Sequence, residues 1–210
     1  MTTKPNHPIT LYRTELSGHC HRVQLFMSLT GIAFRMVDID VMGGEQRNPP
    51  YLAVNPFGLV PAIDDGGIVI ADSCAILVYL ARCYAPPAWL PRDPVGAAQV
   101  QQFLALAAGA QAYGPNAARL IKQFGAPMDY PQAERVSGWL LAQLERHLKS
   151  KTFMVGAAPT IADVALYSYV AHAPEGGIAL DPYPQVQRWL ARIEALPGFV
   201  PMAARPLPQL

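Results

Sequence analysis

Two short apolar runs, Leu59–Ile63 and Ile68–Ala71, flank Asp64-Asp65-Gly66-Gly67. A spacer this short, ending in glycines free to take positive φ, joins antiparallel neighbours and leaves no room for a crossover. Upstream the pattern differs. Ile9–Tyr12 is a short apolar run, a candidate strand. Cys20–Leu29 repeats Val23, Phe26 and Met27 at helical spacing and stops at Gly31, a helix-ending signal. Phe34–Ile39 alternates as a strand does, with Phe34, Met36 and Asp38 on one face and Val37 and Ile39 on the other. Gly43-Gly44 interrupts the chain, and Arg47–Val54 holds a short irregular helix. Asp72–Tyr84 reads as a buried helix with Ser73 near its start. The order is β-α-β-α-β-β-α: a crossover between parallel strands first, a hairpin last. That order predicts a mixed four-stranded sheet covered by helices.

Prolines 86, 87, 91 and 94 make a stiff connector. Beyond it only helical patterns occur. Val95–Lys122 is long and alanine-rich, and Gln132–Lys149 places Val136, Trp139, Leu140 and Leu144 on one stripe. Ile161–Ala171 is almost wholly apolar and predicts a central buried helix. Val186–Leu196 is amphipathic and ends at Pro197-Gly198. Two domains follow, residues 1–84 and 94–210, with a linker over 85–93. No internal repeat is visible.

Apolar residues make up 51% of the chain and charged ones 15%, against about 25% charged in an average protein. Such a chain can bury a large core. A formal net charge of +1 offers no electrostatic basis for binding nucleic acid or an acidic membrane. Met1–Pro8 is polar and proline-rich, unlike a signal peptide. No run approaches the roughly 18 apolar residues of a membrane span. Cys20, Cys74 and Cys83 are odd in number and lack metal-ligand or disulfide spacing. A reducing, cytoplasmic location without a metal is the expectation.

Three local features carry chemistry. Ser17-Gly18-His19-Cys20 stands where the first strand turns into the first helix. Asn55-Pro56-Phe57-Gly58-Leu59-Val60-Pro61 leads into the third strand, and Asp72-Ser73 opens the third helix. Each is weak alone, but their order on this frame is specific. With Pro159-Thr160-Ile161-Ala162-Asp163, which resembles the capping box of that family's second domain, they make nearly the whole chain similar to soluble glutathione transferases. The likeness is greatest to bacterial members related to the theta, delta and zeta classes. The resemblance implies a thioredoxin-like α/β domain followed by an all-helical bundle. It implies glutathione as co-substrate, a small hydrophobic electrophile or a peroxide as partner, and a homodimer.

Glutathione presents a thiol, two peptide groups and a zwitterionic γ-glutamyl end. The resemblance implies a cis bond at Val60–Pro61, whose Val60 N–H and C=O pair with the cysteinyl peptide like an added strand. Ser73, at a helix start, suits the γ-glutamyl carboxylate, and Asp72 suits the ammonium. Either could instead be only a helix cap. Gln46 matches a contact to the glycine carboxylate, and Leu59 stands where relatives often have Lys. Ser17 matches the hydroxyl that donates to the thiolate, or simply caps its helix. His19 is a further thiol-proximal candidate, and Tyr12 is the alternative donor or a core tyrosine. Phe103, Leu106, Gln111 and Tyr113 line either the second-substrate pocket or the core. Thr160 and Asp163 form a structural cap worth about 1 kcal/mol.

Three activities compete: conjugation, glutathione-dependent disulfide or peroxide reduction, and a non-catalytic interaction module on the same fold. Ser17 replaces the leading cysteine of a Cys-x-x-Cys, which argues against dithiol exchange. A helix-buried Cys20 is expected to be inert, and Cys74 and Cys83 read as core.

Overall fold

The computed structural model describes residues 4–205; the first three residues of the expected polar start and the last five of the expected helical domain lie outside them. β1 (Ile9–Arg13) is followed by α1 (Gly18–Thr30), β2 (Phe34–Asp38), the short α2 (Pro49–Leu52), β3 (Ala62–Asp65), β4 (Ile68–Ala71) and α3 (Ser73–Tyr84). The sheet order is β2-β1-β3-β4. β1 runs parallel to β2 and antiparallel to β3, and β3 and β4 form the hairpin. Its turn is tighter than expected. Asp64 and Asp65 belong to β3, and only Gly66 (φ 63°) and Gly67 (φ 94°) make the reversal. Two consecutive positive φ values match the right-handed twist of the flanking strands.

The third strand also starts late, at Ala62 rather than Leu59. Tyr51 Oη and Asn55 Nδ2 donate to the Leu59 carbonyl at 2.6 and 2.7 Å. The Val60–Pro61 bond is cis, and Pro61 has no N–H for a ladder.

Helices alone follow: α4 (Pro94–Ala108), α5 (Ala117–Phe124), α6 (Tyr130–His147), α7 (Ile161–Ala171) and α8 (Pro184–Glu194). The expected continuous helix over Val95–Lys122 is broken. α4 stops at Gly109, and a π-helical turn at Ala112–Asn116 containing Pro115 leads into α5. Pro115 lacks the amide that would carry the α ladder onward. The stripe of α6 is also rotated from expectation: Ala133, Ser137, Leu140, Leu141 and Leu144 are buried, while Trp139 is 51% exposed.

α7 is buried from Ile161 to Val170 and packs against α1, α3 and α4. One core therefore runs from the sheet through α1 into the helical half. Thr160 caps α7, its Oγ1 accepting the Ala162 N–H at 3.2 Å, and Asp163 Oδ2 accepts the Thr160 N–H at 2.8 Å. No helix among the described residues is long and apolar enough to cross a membrane.

Candidate functional site

The chain leaves β1 and enters α1 through Ser17, the N-cap, whose Oγ accepts the Cys20 N–H at 3.3 Å. Gly18 follows because the ring of Tyr169, from α7, fills the space where a Cβ would stand, with contacts of 2.8 Å. The buried Tyr169 hydroxyl meets the Ser17 side chain and the His19 backbone N–H. Burial pushes its ionisation up, so the phenol keeps its proton. A tyrosine about 150 positions away in the chain thus sits on the first turn of α1, and nothing in the local pattern of residues 161–171 distinguished it from core.

His19 stands edge-on to the Tyr169 ring, centroids 4.9 Å apart. Burial, assisted by the nearby Arg22 cation, lowers its pKa to about 3, so it is a neutral imidazole. Its Nδ1 lies 3.5 Å from Ser73 Oγ. Cys20 is a buried thiol whose Sγ accepts the Thr14 N–H at 3.4 Å. Burial raises its pKa despite the hydrogen bonds from Ser17 and Thr14. It is a neutral packing group rather than a nucleophile.

The opposing wall comes from the loop before β3 and the start of α3. Asp72 has φ 71°, the one positive value outside glycine among the described residues. Such a conformation is costly and is retained at sites that need it. Asp72 Oδ1 accepts the Cys74 and Ala75 N–H groups at 2.9 Å each. The Ser73 N–H, first in the helix, has no partner inside it. Ser73 Oγ accepts from Arg22 Nη1 at 3.2 Å.

These walls enclose a cleft of ≈ 330 Å³ lined by His19, Val60, Pro61, Asp72 and Ser73. His19, Leu59 and Val60 also border a second cavity of ≈ 390 Å³, which Ser17 and Gln46 line from the first half and Asn116, Arg119, Leu120, Phe124 and Tyr169 from the second. Leu16, Val41 and Met42 add to its largely apolar wall. A larger hollow of ≈ 490 Å³ near Pro174–Asp181 contains none of these groups.

The structure therefore brings together Ser17, His19, Gln46, Val60, Pro61, Asp72 and Ser73. Gln46 Oε1 is buried without a partner. Tyr12 lies elsewhere, half-buried and edge-on to Tyr51 at 6.0 Å. The four residues expected to line a second-substrate pocket do not line this cavity. Phe103 is buried against His147, Leu106 is half-buried on the core, and Tyr113 is 66% exposed. Gln111 is fully buried, accepting from Arg22 Nη2 at 2.9 Å and donating to the Leu166 carbonyl. The π turn shifts the helix phase after Gly109, and the facing residues are Asn116, Arg119 and Leu120 instead. Arg119 is held by Glu175 Oε2 at 2.6 Å and the Leu16 carbonyl at 2.8 Å. Burial alone would raise Glu175, but hydrogen bonds from His172 and Arg119 outweigh it and hold the carboxyl below its usual range. No metal-binding group of His, Cys, Asp and Glu occurs among the described residues.

Residues 16–83 match the family model described as glutathione S-transferase, N-terminal domain, and residues 107–197 match that of the C-terminal domain. The chain is 31% identical over 202 residues to maleylacetoacetate isomerase of Pseudomonas aeruginosa, covering 90% of this chain and 92% of that one. It is 30% identical over 201 residues to glutathione S-transferase theta-3 of Mus musculus, covering 90% and 83%. The crystal structure of a glutathione S-transferase from Pseudomonas fluorescens superposes with a TM-score of 0.88 at 29% identity, covering 94% of this chain and all of that one. Matched in both halves, over more than half of its length, this chain belongs to the glutathione S-transferase family.

Proposed function

We propose that this transferase binds glutathione in the cleft between α1 and α3 and directs its thiolate from Ser17 into the cavity roofed by α5 and α7, where a small hydrophobic electrophile is attacked. The observation that carries this reading is the adjacency of the two spaces. The cleft ends on a carboxylate-suited helix start and the cavity is mostly apolar. His19, Leu59 and Val60 line both spaces, and Ser17 lines the cavity beside His19.

The hydrogen bonds at Ser17 support its role. The buried Tyr169 hydroxyl lies against the Ser17 side chain and the His19 backbone N–H, which holds the head of α1 in place. Ser17 Oγ accepts the Cys20 N–H at 3.3 Å. A hydroxyl has two acceptor sites and one proton. Because the cap uses an acceptor site and not the proton, the Ser17 O–H can be given to the thiolate. At the cleft's other end, the Val60 N–H and C=O suit the cysteinyl peptide, Ser73 the γ-glutamyl carboxylate, the free oxygen of Asp72 the ammonium, and Gln46 the glycine end.

Lowering a thiol from a pKa of about 8.5 to about 7 raises the thiolate fraction at pH 7 some 16-fold. Reduced nucleophilicity gives back about fivefold. Placing the electrophile beside sulfur therefore contributes more than ionisation does. Ser17→Ala is expected to lower kcat about tenfold, with the glutathione Kd within about threefold; unchanged turnover removes Ser17 from the mechanism. Tyr169→Phe is expected to lower kcat about two- to tenfold, the worth of one net hydrogen bond; an unaltered rate would show that Ser17 keeps its orientation without the phenol. A panel of electrophiles, peroxides and mixed disulfides separates conjugation from reduction. Failure of a glutathione affinity matrix to retain the protein would overturn the binding reading. A two-fold homodimer belongs to the same proposal, and a monomer by sedimentation velocity at assay concentration would remove it.

A further inference from the structure

Two arginines are fully buried, and their surroundings differ. Arg119 has Glu175 as a counter-charge. Arg22, on the inner face of α1 and 1% exposed, has no carboxylate paired with it among the described residues. Its Nη2 donates to Gln111 Oε1 at 2.9 Å, and its Nη1 donates to Ser73 Oγ at 3.2 Å and Cys74 Sγ at 3.5 Å. Its Nε is buried with no partner. None of these partners is anionic: Gln111 and Ser73 are neutral, and burial raises the Cys74 thiol above its usual value. Asp72, next to Ser73 in the chain, forms no ion pair with Arg22 and spends one oxygen capping α3. A guanidinium cannot shed its proton to escape burial, and a buried cation without an opposite charge is strongly unfavourable. Such a group is retained where an anion arrives to offset it.

The wall in front of Arg22 is the cleft. Its partner Ser73 and its neighbour His19 both line that space. Because Arg22 Nη1 donates into Ser73 Oγ, the serine's own proton must be given elsewhere. The His19 Nδ1, at 3.5 Å, is at the outer limit of a hydrogen bond and competes weakly for it. The Ser73 N–H and the twelve-residue α3 helix add potential of the same sign.

We propose that Arg22 is a positioning residue for the γ-glutamyl α-carboxylate of glutathione, locking Ser73 as an outward donor and supplying the uncompensated positive charge behind it. The carboxylate rests on Ser73 and never touches Arg22. This inference depends on the glutathione reading above. It adds that recognition of the tripeptide's acidic end originates in α1, beneath the surface, as well as in the exposed start of α3.

The test compares two ligands by isothermal titration calorimetry: glutathione and its analogue with hydrogen in place of the γ-glutamyl α-carboxylate. The wild-type protein is expected to prefer glutathione by about 30-fold or more, as charge-assisted hydrogen bonds imply. Arg22→Met is expected to cut that preference about tenfold while moving the analogue's Kd less than about threefold, and Arg22→Lys to restore most of it. Ser73→Ala, which leaves the cation in place, is expected to keep a preference of about tenfold. An unchanged preference in Arg22→Met, or equal weakening of both ligands, overturns the assignment. If Arg22→Met does not fold, Ser73→Ala decides: complete loss of preference there means the buried charge contributes nothing. A wild-type protein that binds neither ligand instead sinks the glutathione reading.

Discussion

Asp163→Ala is expected to destabilise the protein by about 3–5 kcal/mol, several times the roughly 1 kcal/mol of an ordinary helix cap. The carboxylate is fully buried and serves four donors. The Thr160 N–H and Thr160 Oγ1 lie at 2.8 and 3.1 Å from Oδ2. The Met154 N–H and Trp189 Nε1 lie at 2.8 and 2.9 Å from Oδ1. One side chain thus joins the start of α7 to the preceding loop and to α8. Truncation leaves all four donors without an acceptor in a site that water does not reach, and each such group costs about 1–3 kcal/mol before relaxation. Equilibrium denaturation is the measurement. A loss near 1 kcal/mol would reduce Asp163 to a cap and show that Trp189 and Met154 find other partners. Because α7 also carries Tyr169 to Ser17, the fall in stability should come with lost activity as folded protein is depleted.

Acid should begin to destabilise the chain above the pH of ordinary carboxylate titration. Burial lowers His19 to about 3 and His21 to about 4, both from 6.5. His21 is fastened by Ser168 Oγ on Nδ1 and the Val200 carbonyl on Nε2, each at 2.9 Å. The carbonyl requires Nε2–H, and because burial keeps the ring neutral, Nδ1 accepts from Ser168 Oγ. The folded state thus binds fewer protons than the unfolded one below pH 6.5. The stabilisation is complete above that value and lost as pH falls toward 4, at up to about 1.4 kcal/mol per pH unit for each ring. A loss of several kcal/mol between pH 6.5 and 4 is the expected result. Glu175, held below 4.5, adds a loss of the same sign only beneath that value. Asp163, raised by burial, acts in the opposite sense. Comparison with His21→Gln leaves both carboxylates untouched. The variant should show roughly half the wild-type slope, and parallel curves would exclude His21 from the acid response.

Much of this protein is legible in its sequence, because the signals are local. Gly31 closes α1 with φ 65°, Gly66-Gly67 makes the hairpin, and Thr160 and Asp163 open α7, each within a few residues of the feature it encodes. The β-α-β-α-β-β-α succession and the helical second half followed from local patterns, and the family resemblance carried by the motifs implied the thioredoxin-like frame and the grouping of Ser17, Val60, Pro61, Asp72 and Ser73. The residues that face the cavity from the helical half, Asn116, Arg119 and Leu120, did not follow. Helical spacing alone leaves Phe103, Leu106, Gln111 and Tyr113 open between pocket and core, and the π turn between Gly109 and α5 sets a different phase.

The amino-acid order alone thus determined the succession of strands and helices in the first half and the all-helical character of the second, although it did not show the break between α4 and α5. Tertiary packing alone decided the rest: that Tyr169 lies on Ser17, that Arg22 is buried behind Ser73 without a counter-charge, and that Asp163 serves three separate segments. These depend on contacts between residues up to about 150 positions apart. Hydrophobic periodicity reports only which face of an element turns inward, and the partner waiting there is set when the two halves close over one core.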